Sequence, residues 1–191
     1  MKRTKRIAYR GISLQEAEAV VKKQFYERNE RRDFHNGIQA RSTFGPGLYL
    51  VNDVELAAQY AYCNTEVEGG EEAAVLKQWI YIDKPYIINY HSTEKKLKRK
   101  ALEWKLEFER CSQPSEEASF DKGEVVREYL LHHGYDGIIY HINDELIYYV
   151  CYFQERQVED ITIDFTFHIN DLKKMSAVTL RDNYKKKMRQ I

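Results

Sequence analysis

Three separated stretches carry residues whose types and spacing suit a flat, charged ligand. The first is Tyr9-Arg10-Gly11. The second is Gly45-Pro46-Gly47-Leu48-Tyr49-Leu50, followed by Ala57-Ala58-Gln59-Tyr60. The third is Gly134-Tyr135-Asp136-Gly137-Ile138-Ile139-Tyr140, followed by Tyr148 to Phe153 and then Gln157-Val158. A slot lined by tyrosine with glycine at its rim accepts a flat heteroaromatic ring, because glycine permits close backbone approach and tyrosine offers a stacking face. A single arginine near such a slot pairs with a diphosphate through charge-assisted, often bidentate hydrogen bonds. Taken alone, each piece also has a plainer reading. Tyr49 can be half-buried strand core, Arg10 a structural ion-pair residue, and Gly45 and Gly47 simple turn residues. Asp136 reads mainly as a turn residue that bonds its own backbone.

Those residues need a scaffold, and local patterns predict one. Residues 7–11 read as a short strand. Ser13-Leu14-Gln15-Glu16 is a capping box, and Leu14, Ala17, Val21 and Phe25 recur at helical spacing up to an end at His35-Asn36-Gly37. Thr43 to Gly47 is a turn and Leu48 to Val51 a strand. Asp53 caps a helix over Val54 to Tyr62, with an exposed loop at 64–72. Strands follow at 74–83 and 86–90. Thr93 caps a strongly charged helix whose face carries Leu97, Ala101, Trp104 and Phe108. After a loop at 111–119, Asp121 opens a helix that closes at His132-His133-Gly134. Strands are expected at 137–141, 146–153 and 161–167. Asp171 then caps a last basic helix ending in Lys185-Lys186-Lys187. Strands and helices mix without regular βαβ alternation, which predicts the α+β class. No repeat or linker interrupts residues 1–191, so a single domain is expected, with 171–191 as its basic C-terminal helix or tail.

Composition narrows the function. Thirty Lys+Arg balance thirty Asp+Glu. A net charge of zero excludes a histone-like coating protein, whose affinity depends on a large positive excess. Cys63, Cys111 and Cys151 stand far apart without a CxxC pair; an odd, sparse set argues against a disulfide framework and for a reducing compartment. The histidines show no HExxH or Cys/His ligand spacing, so no metal is expected. No signal peptide is visible and no run approaches the ~18 apolar residues of a membrane span. The expectation is a soluble, cytoplasmic protein without a membrane partner.

Taken in order, the three stretches resemble the ADP-ribosyltransferase superfamily, in both its poly-ADP-ribose-polymerase-like and its bacterial or phage mono-ADP-ribosyltransferase branches. Gly45-Pro46-Gly47-Leu48-Tyr49 is similar to the family's Gly-x-Gly-(Leu/Ile)-Tyr strand, and Ala58-Gln59-Tyr60 to the Ala-x-Tyr that ends its following helix. Gly134-Tyr135-Asp136-Gly137-Ile138 and Gln157-Val158 look like the closing half of such domains. The matching segments are spread over residues 7–161 and leave most positions between them unmatched. The resemblance implies a split β-sheet with an NAD cleft, flanked by helices, with NAD as substrate and no metal. It implies that Gly11 holds the nicotinamide amide, that Tyr49 and Tyr60 flank the ring, and that Arg10 meets phosphate. Ser42 and Thr43 would take the supporting hydroxyl role of arginine-serine-glutamate members.

One departure bears on catalysis. Active members place a glutamate at the start of the strand that leads to Gln-Val. Alignment on Gln157-Val158 puts Tyr149 there. Glu145, four residues earlier, shares a face with it on an ideal strand, and it is the candidate carboxylate if the strand is longer or bulged; Glu155 lies nearer the following turn. The function expected from the resemblance is an NAD-dependent mono-ADP-ribosyltransferase, a pentosyl glycosyltransferase acting on a protein or nucleic acid as a toxin or phage-conflict effector. Two alternatives stand beside it: an NAD glycohydrolase toxin, and a catalytically silent module of the same fold that binds a partner. The basic stretches Lys2–Arg6, Lys173-Lys174 and Lys185–Arg189 suit a nucleic-acid acceptor, and equally a solvated helix face. The helix over Glu94–Glu109 carries the same ambiguity.

Overall fold

The computed structural model describes residues 4–27, 32–33, 39–40, 43–110 and 121–190. Ser42, the expected helix end at His35-Asn36-Gly37 and the expected loop at 111–119 lie outside the described residues, as does the Phe108 side chain. In chain order the elements are β1 (Lys5–Ser13), α1 (Leu14–Lys23), β2 (Arg32–Asp33), β3 (Gln39–Ala40), β4 (Leu48–Val51), α2 (Val54–Val67), β5 (Glu72–Tyr81) and β6 (Pro85–Ile88). Then come α3 (Glu94–Arg110), α4 (Lys122–His132), β7 (Gly137–His141), β8 (Ile147–Cys151), α5 (Gln154–Gln157), β9 (Val158–His168), α6 (Ile169–Leu172) and α7 (Ala177–Met188). The class is α+β, and the residues group into two compact units.

The first unit comprises Met1–Glu27, Leu50–Tyr81 and Gln154–Ile191. Its frame is antiparallel, with β5 between β1 and β9. The β1–β5 register runs without interruption from Lys5 opposite Tyr81 to Ser13 opposite Ala73. The β5–β9 register shifts twice, and Asp160, at φ 55°, sits at the second shift. Ala73 to Leu76 are all 0% exposed, so both faces of β5 are covered there, and α1 and α2 both pack on this strand. Ser13 caps α1 by accepting the Glu16 N–H, and Asp53 caps α2 through the Leu56 N–H at 2.7 Å. Those caps fall where the local pattern puts them.

Three helix boundaries differ from expectation. α1 does not run through Phe25 but stops at Lys23, because Gln24 turns left-handed at φ 53° and caps it. α2 does not stop at Tyr62 but continues to Val67, because Ala61 and Thr65, four residues apart, are both fully buried and extend its packed face through polar sequence. The last helix does not start at Asp171. A short turn, α6, occupies that position, and α7 begins after Ser176, whose hydroxyl accepts the Thr179 N–H at 3.3 Å. The Glu55 carboxylate of α2 accepts the Ala177 N–H at 2.9 Å, so a residue far away in sequence fixes this start. Asp164, buried on β9, then holds α7 through Arg181 Nε at 2.6 Å and Lys185 Nζ at 3.3 Å.

The second unit comprises Arg28–Tyr49 and Ile82–Phe153. β6 and β7 pair in parallel, which a tight turn cannot connect, and α3 and α4 supply the crossover. β8 returns antiparallel on β7, while β2 and β3 form a separate short pair. Leu97 and Ala101 of α3 meet Leu130 of α4, Ile88, Ile138 and Val150 in one apolar cluster. Asp121 caps α4 through the Gly123 N–H at 2.8 Å.

Candidate functional site

Arg10 and Gly11 are consecutive on β1, and successive side-chain positions on a strand point to opposite faces. Gly11 faces α2. A methyl group there would overlap the Ala57 carbonyl oxygen and crowd the Ala61 nitrogen, so helix backbone rests on strand backbone with nothing between. The Gly11 carbonyl accepts a hydrogen bond from Asn64 Nδ2 at 2.9 Å. Tyr60, on the same helix, is 43% exposed. Arg10 points the other way and is 8% exposed, with its guanidinium carbon 5.2 Å from the Tyr26 ring centre. Within this unit, therefore, Arg10 and Tyr60 belong to opposite sides of the strand.

Arg10 has instead a polar neighbourhood that sequence reasoning missed. The Tyr26 hydroxyl donates to Gln78 Oε1 at 2.7 Å, and Gln78 Nε2 donates to the Ala8 carbonyl at 3.0 Å. Gln154 clasps the Tyr26 backbone from both sides, accepting from its N–H at 3.0 Å and donating to its carbonyl at 2.8 Å. Gln78 and Tyr26 are almost fully buried. One sequence signal was available: Gln78 interrupts the apolar run of β5, and a buried amide must find partners. The Arg10 guanidinium is thus held against a phenol ring that two glutamine side chains fix in place.

In the second unit, Tyr49 works as a staple. Its hydroxyl accepts the Phe44 N–H at 3.0 Å and donates to the Gly45 carbonyl at 2.8 Å, closing the turn that precedes its own strand. Gly45 has φ 82°, and a Cβ there would lie 2.6 Å from the Gly123 carbonyl oxygen, so the turn packs on the start of α4 only because glycine is present. Tyr152 reinforces the turn by donating to the Phe44 carbonyl at 2.9 Å. Burial pushes the Tyr152 phenol well above its ordinary pKa; neighbouring Tyr49 adds to this and Arg127 opposes it. Thr43 is exposed at the start of the turn.

The candidate carboxylates fall outside regular strand. β8 begins at Ile147, not at residue 146 or earlier. Glu145 is an exposed residue of the hairpin turn, where Asn143 Oδ1 accepts the N–H groups of Glu145 and Leu146. That Asx turn ends the strand before Glu145. Tyr149 is 4% exposed and pairs with Ile139 across the hairpin. Glu155 is exposed on α5, in the first unit. The two side-chain oxygens of Asp136 reach beyond its own turn: they accept the N–H groups of Asp83 and Lys84 at 3.1 and 2.9 Å, and so fix the entry to β6. That reach has a simple cause, since a buried carboxylate seeks donors wherever the fold supplies them.

Arg10, Gly11 and Tyr60 thus lie in the first unit, and Thr43, Tyr49 and Glu145 in the second. Among the described residues no group of three or more His, Cys, Asp or Glu side chains is arranged to hold a metal ion, and no helix is long and apolar enough to cross a membrane. No family model and no curated protein matches the sequence. Among solved structures, one described as the crystal structure of an anti-CRISPR protein is similar at 17% identity, with 78% of this chain and 90% of that chain covered and a TM-score of 0.31. A likeness of this size does not establish a common fold.

Proposed function

We propose that the chain is an NAD-dependent mono-ADP-ribosyltransferase acting on a macromolecular acceptor in the cytoplasm. The observation that carries the reading is Arg10, a desolvated guanidinium held 5.2 Å from the Tyr26 ring. In this reading Arg10 meets the diphosphate, because a planar guanidinium matches phosphate oxygens bidentately and a side chain already held in place loses less conformational freedom than a solvated lysine. Cleaving the nicotinamide–ribose bond develops positive charge on the ribose carbon. A carboxylate that binds the ribose hydroxyl stabilises that charge more in the transition state than in the ground state. In this reading Glu145 supplies that carboxylate and Tyr49 a ring face, whereas Gly11, closed off by α2, and Tyr60, on the side of β1 opposite Arg10, are not part of the site.

A second reading, a catalytically silent binding module, is favoured by Tyr149. The resemblance sets it where active members have their glutamate, and it is buried, whereas Glu145 and Glu155 are both exposed outside strands.

The test is incubation of the full chain with NAD labelled on its adenylate part, in a cell lysate, with nicotinamide release followed in parallel. Label retained on protein or nucleic acid supports the transferase. Free ADP-ribose without labelled macromolecule assigns a glycohydrolase, and no nicotinamide release at saturating NAD assigns the silent module. In an active parent, Glu145→Gln should lower the rate about 10²–10³-fold with little change in NAD affinity. Arg10→Lys should act mainly on affinity, because it keeps the charge and loses the fork.

A further inference from the structure

We propose that the turn carrying Tyr90, together with the first turns of α3, is a docking surface for single-stranded nucleic acid. The inference is independent of NAD chemistry and needs no catalytic residue.

Tyr90 is 92% exposed. A lone exposed tyrosine needs no explanation, but this one is held in place. Asn89 Oδ1 accepts the N–H groups of His91 and Ser92, each at 2.9 Å, and the Asn89 N–H donates to the Ser92 carbonyl at 3.1 Å. The Ser92 hydroxyl is tied to the Tyr86 hydroxyl at 3.1 Å, and the His91 ring stands edge-on to Tyr90 at 5.7 Å. A firm turn therefore presents an aromatic face to solvent.

Cations surround the base of that turn. Lys95, Lys96, Arg99 and Lys100 are exposed and follow one another along the arc of α3 away from buried Leu97 and Ala101. Lys96 Nζ donates to the His91 carbonyl at 3.1 Å, which places an ammonium beside the residue after Tyr90. Lys98 is paired with Glu94, and Arg99 with Glu103 at 3.7 Å, so neither is counted.

The charge of α3 is uneven: Lys95, Lys96, Lys98, Arg99 and Lys100 accompany one acid, Glu94, in its first half, while Glu103, Glu107 and Glu109 accompany Lys105 and Arg110 in its second. The cationic half is the one beside Tyr90, and it complements an anionic ligand there. An aromatic face beside a row of cations is the arrangement that takes an unpaired base by stacking and its flanking phosphates by charge. A duplex keeps its bases stacked and would leave Tyr90 unused.

The test uses the full chain and fluorescence anisotropy with labelled single-stranded RNA, single-stranded DNA and duplex across a salt series. Both single strands should bind more tightly than duplex, with a log–log salt slope of about −2, which corresponds to about three phosphate contacts. Lys95→Glu with Lys96→Glu should reduce that slope by about two thirds. The same pair places acids in the first turn, so thermal stability should hold or rise, which separates lost binding from lost folding. Tyr90→Ala should weaken single-strand binding by about five-fold or more, with Tyr90→Trp restoring it and duplex binding unchanged. Lys186→Glu with Lys187→Glu, on α7, should leave affinity unaltered. The proposal is overturned by absence of salt-dependent binding, by equal losses in the α3 and α7 variants, or by Tyr90→Ala acting equally on duplex. Preference for polyglutamate over nucleic acid would also overturn it and assign the surface to an acidic protein.

Discussion

Asn64 reaches from α2 to donate to the carbonyl of Gly11 at 2.9 Å, at the one position of β1 that lacks a side chain. The bond and the missing Cβ act together. Helix backbone approaches strand backbone because nothing stands between them, and the amide then satisfies a carbonyl the helix would otherwise bury. Gly11 therefore has a packing role that does not depend on any ligand.

Gly11→Ala should accordingly be among the most destabilising single substitutions in the first unit. The added methyl meets backbone atoms of α2, which cannot rotate away, and overpacking of this kind costs about 3 kcal/mol or more. Asn64→Ala should cost about 1 kcal/mol for the lost bond. Urea unfolding measures both. A Gly11→Ala variant with parental stability that no longer releases nicotinamide would return Gly11 to the ligand.

For Tyr49 the hydroxyl and the ring make separable predictions. Tyr49→Phe removes the contacts to the Phe44 N–H and the Gly45 carbonyl and should lower stability by about 1–2 kcal/mol. If the ring flanks nicotinamide, Tyr49→Phe should retain turnover and Tyr49→Ala should abolish it. Equal turnover in parent and both variants would leave Tyr49 as a staple of the turn alone. Tyr152→Phe loosens the same turn, so the double variant should depart from additivity.

What the sequence made legible was local. Ser13, Asp53 and Asp121 cap helices as expected, because a cap is settled within four residues. The end of α2 was hidden, since its last packed residue is Thr65 and the residues around it are polar. The last helix was expected to start at Asp171; it starts after Ser176, where Glu55 from α2 accepts the Ala177 N–H. The candidate site divides in the same way. Arg10 and Gly11 could be picked out by type, but their opposite faces and the Tyr26–Gln78–Gln154 surroundings of Arg10 depend on pairings between distant segments. The Tyr90 turn and α3 were legible as charge and aromatic content, and only the fold shows the hydrogen-bonded turn that carries that exposed tyrosine.

Asp136→Asn tests the long-range role of that carboxylate. The wild-type oxygens each accept one backbone N–H, from Asp83 and from Lys84. Asparagine keeps one acceptor and turns a donor toward the other N–H. The expected loss is about 1–3 kcal/mol, the range for a charge-assisted bond replaced by an unsatisfied buried group. Equilibrium unfolding reads the loss, and hydrogen exchange should show the Asp83 and Lys84 amides opening first. Stability within a few tenths of a kcal/mol of the parent would show that water can replace the carboxylate.

The alkaline limb of stability should report Cys151. Its thiol is fully buried, and burial first, then the nearby Asp136 charge, pushes it from 9.0 up to about 12. Below pH 9 the thiol is protonated in both folded and unfolded chains and exerts no pH dependence. Above it, only the unfolded chain releases the proton. The stabilisation present at lower pH is therefore lost at about 1.4 kcal/mol per pH unit until the folded thiol ionises as well. The raised Tyr152 phenol acts with the same sign, beginning near pH 10. Cys151→Ala should be less stable than the parent at pH 7, by about 1 kcal/mol for the small cavity. Between pH 9 and pH 11 its stability should fall less steeply, so the two curves converge. Urea unfolding at half-unit pH steps measures this directly. Parallel curves would mean that the Cys151 thiol ionises alike in both states and that its surroundings are wetter than its burial implies.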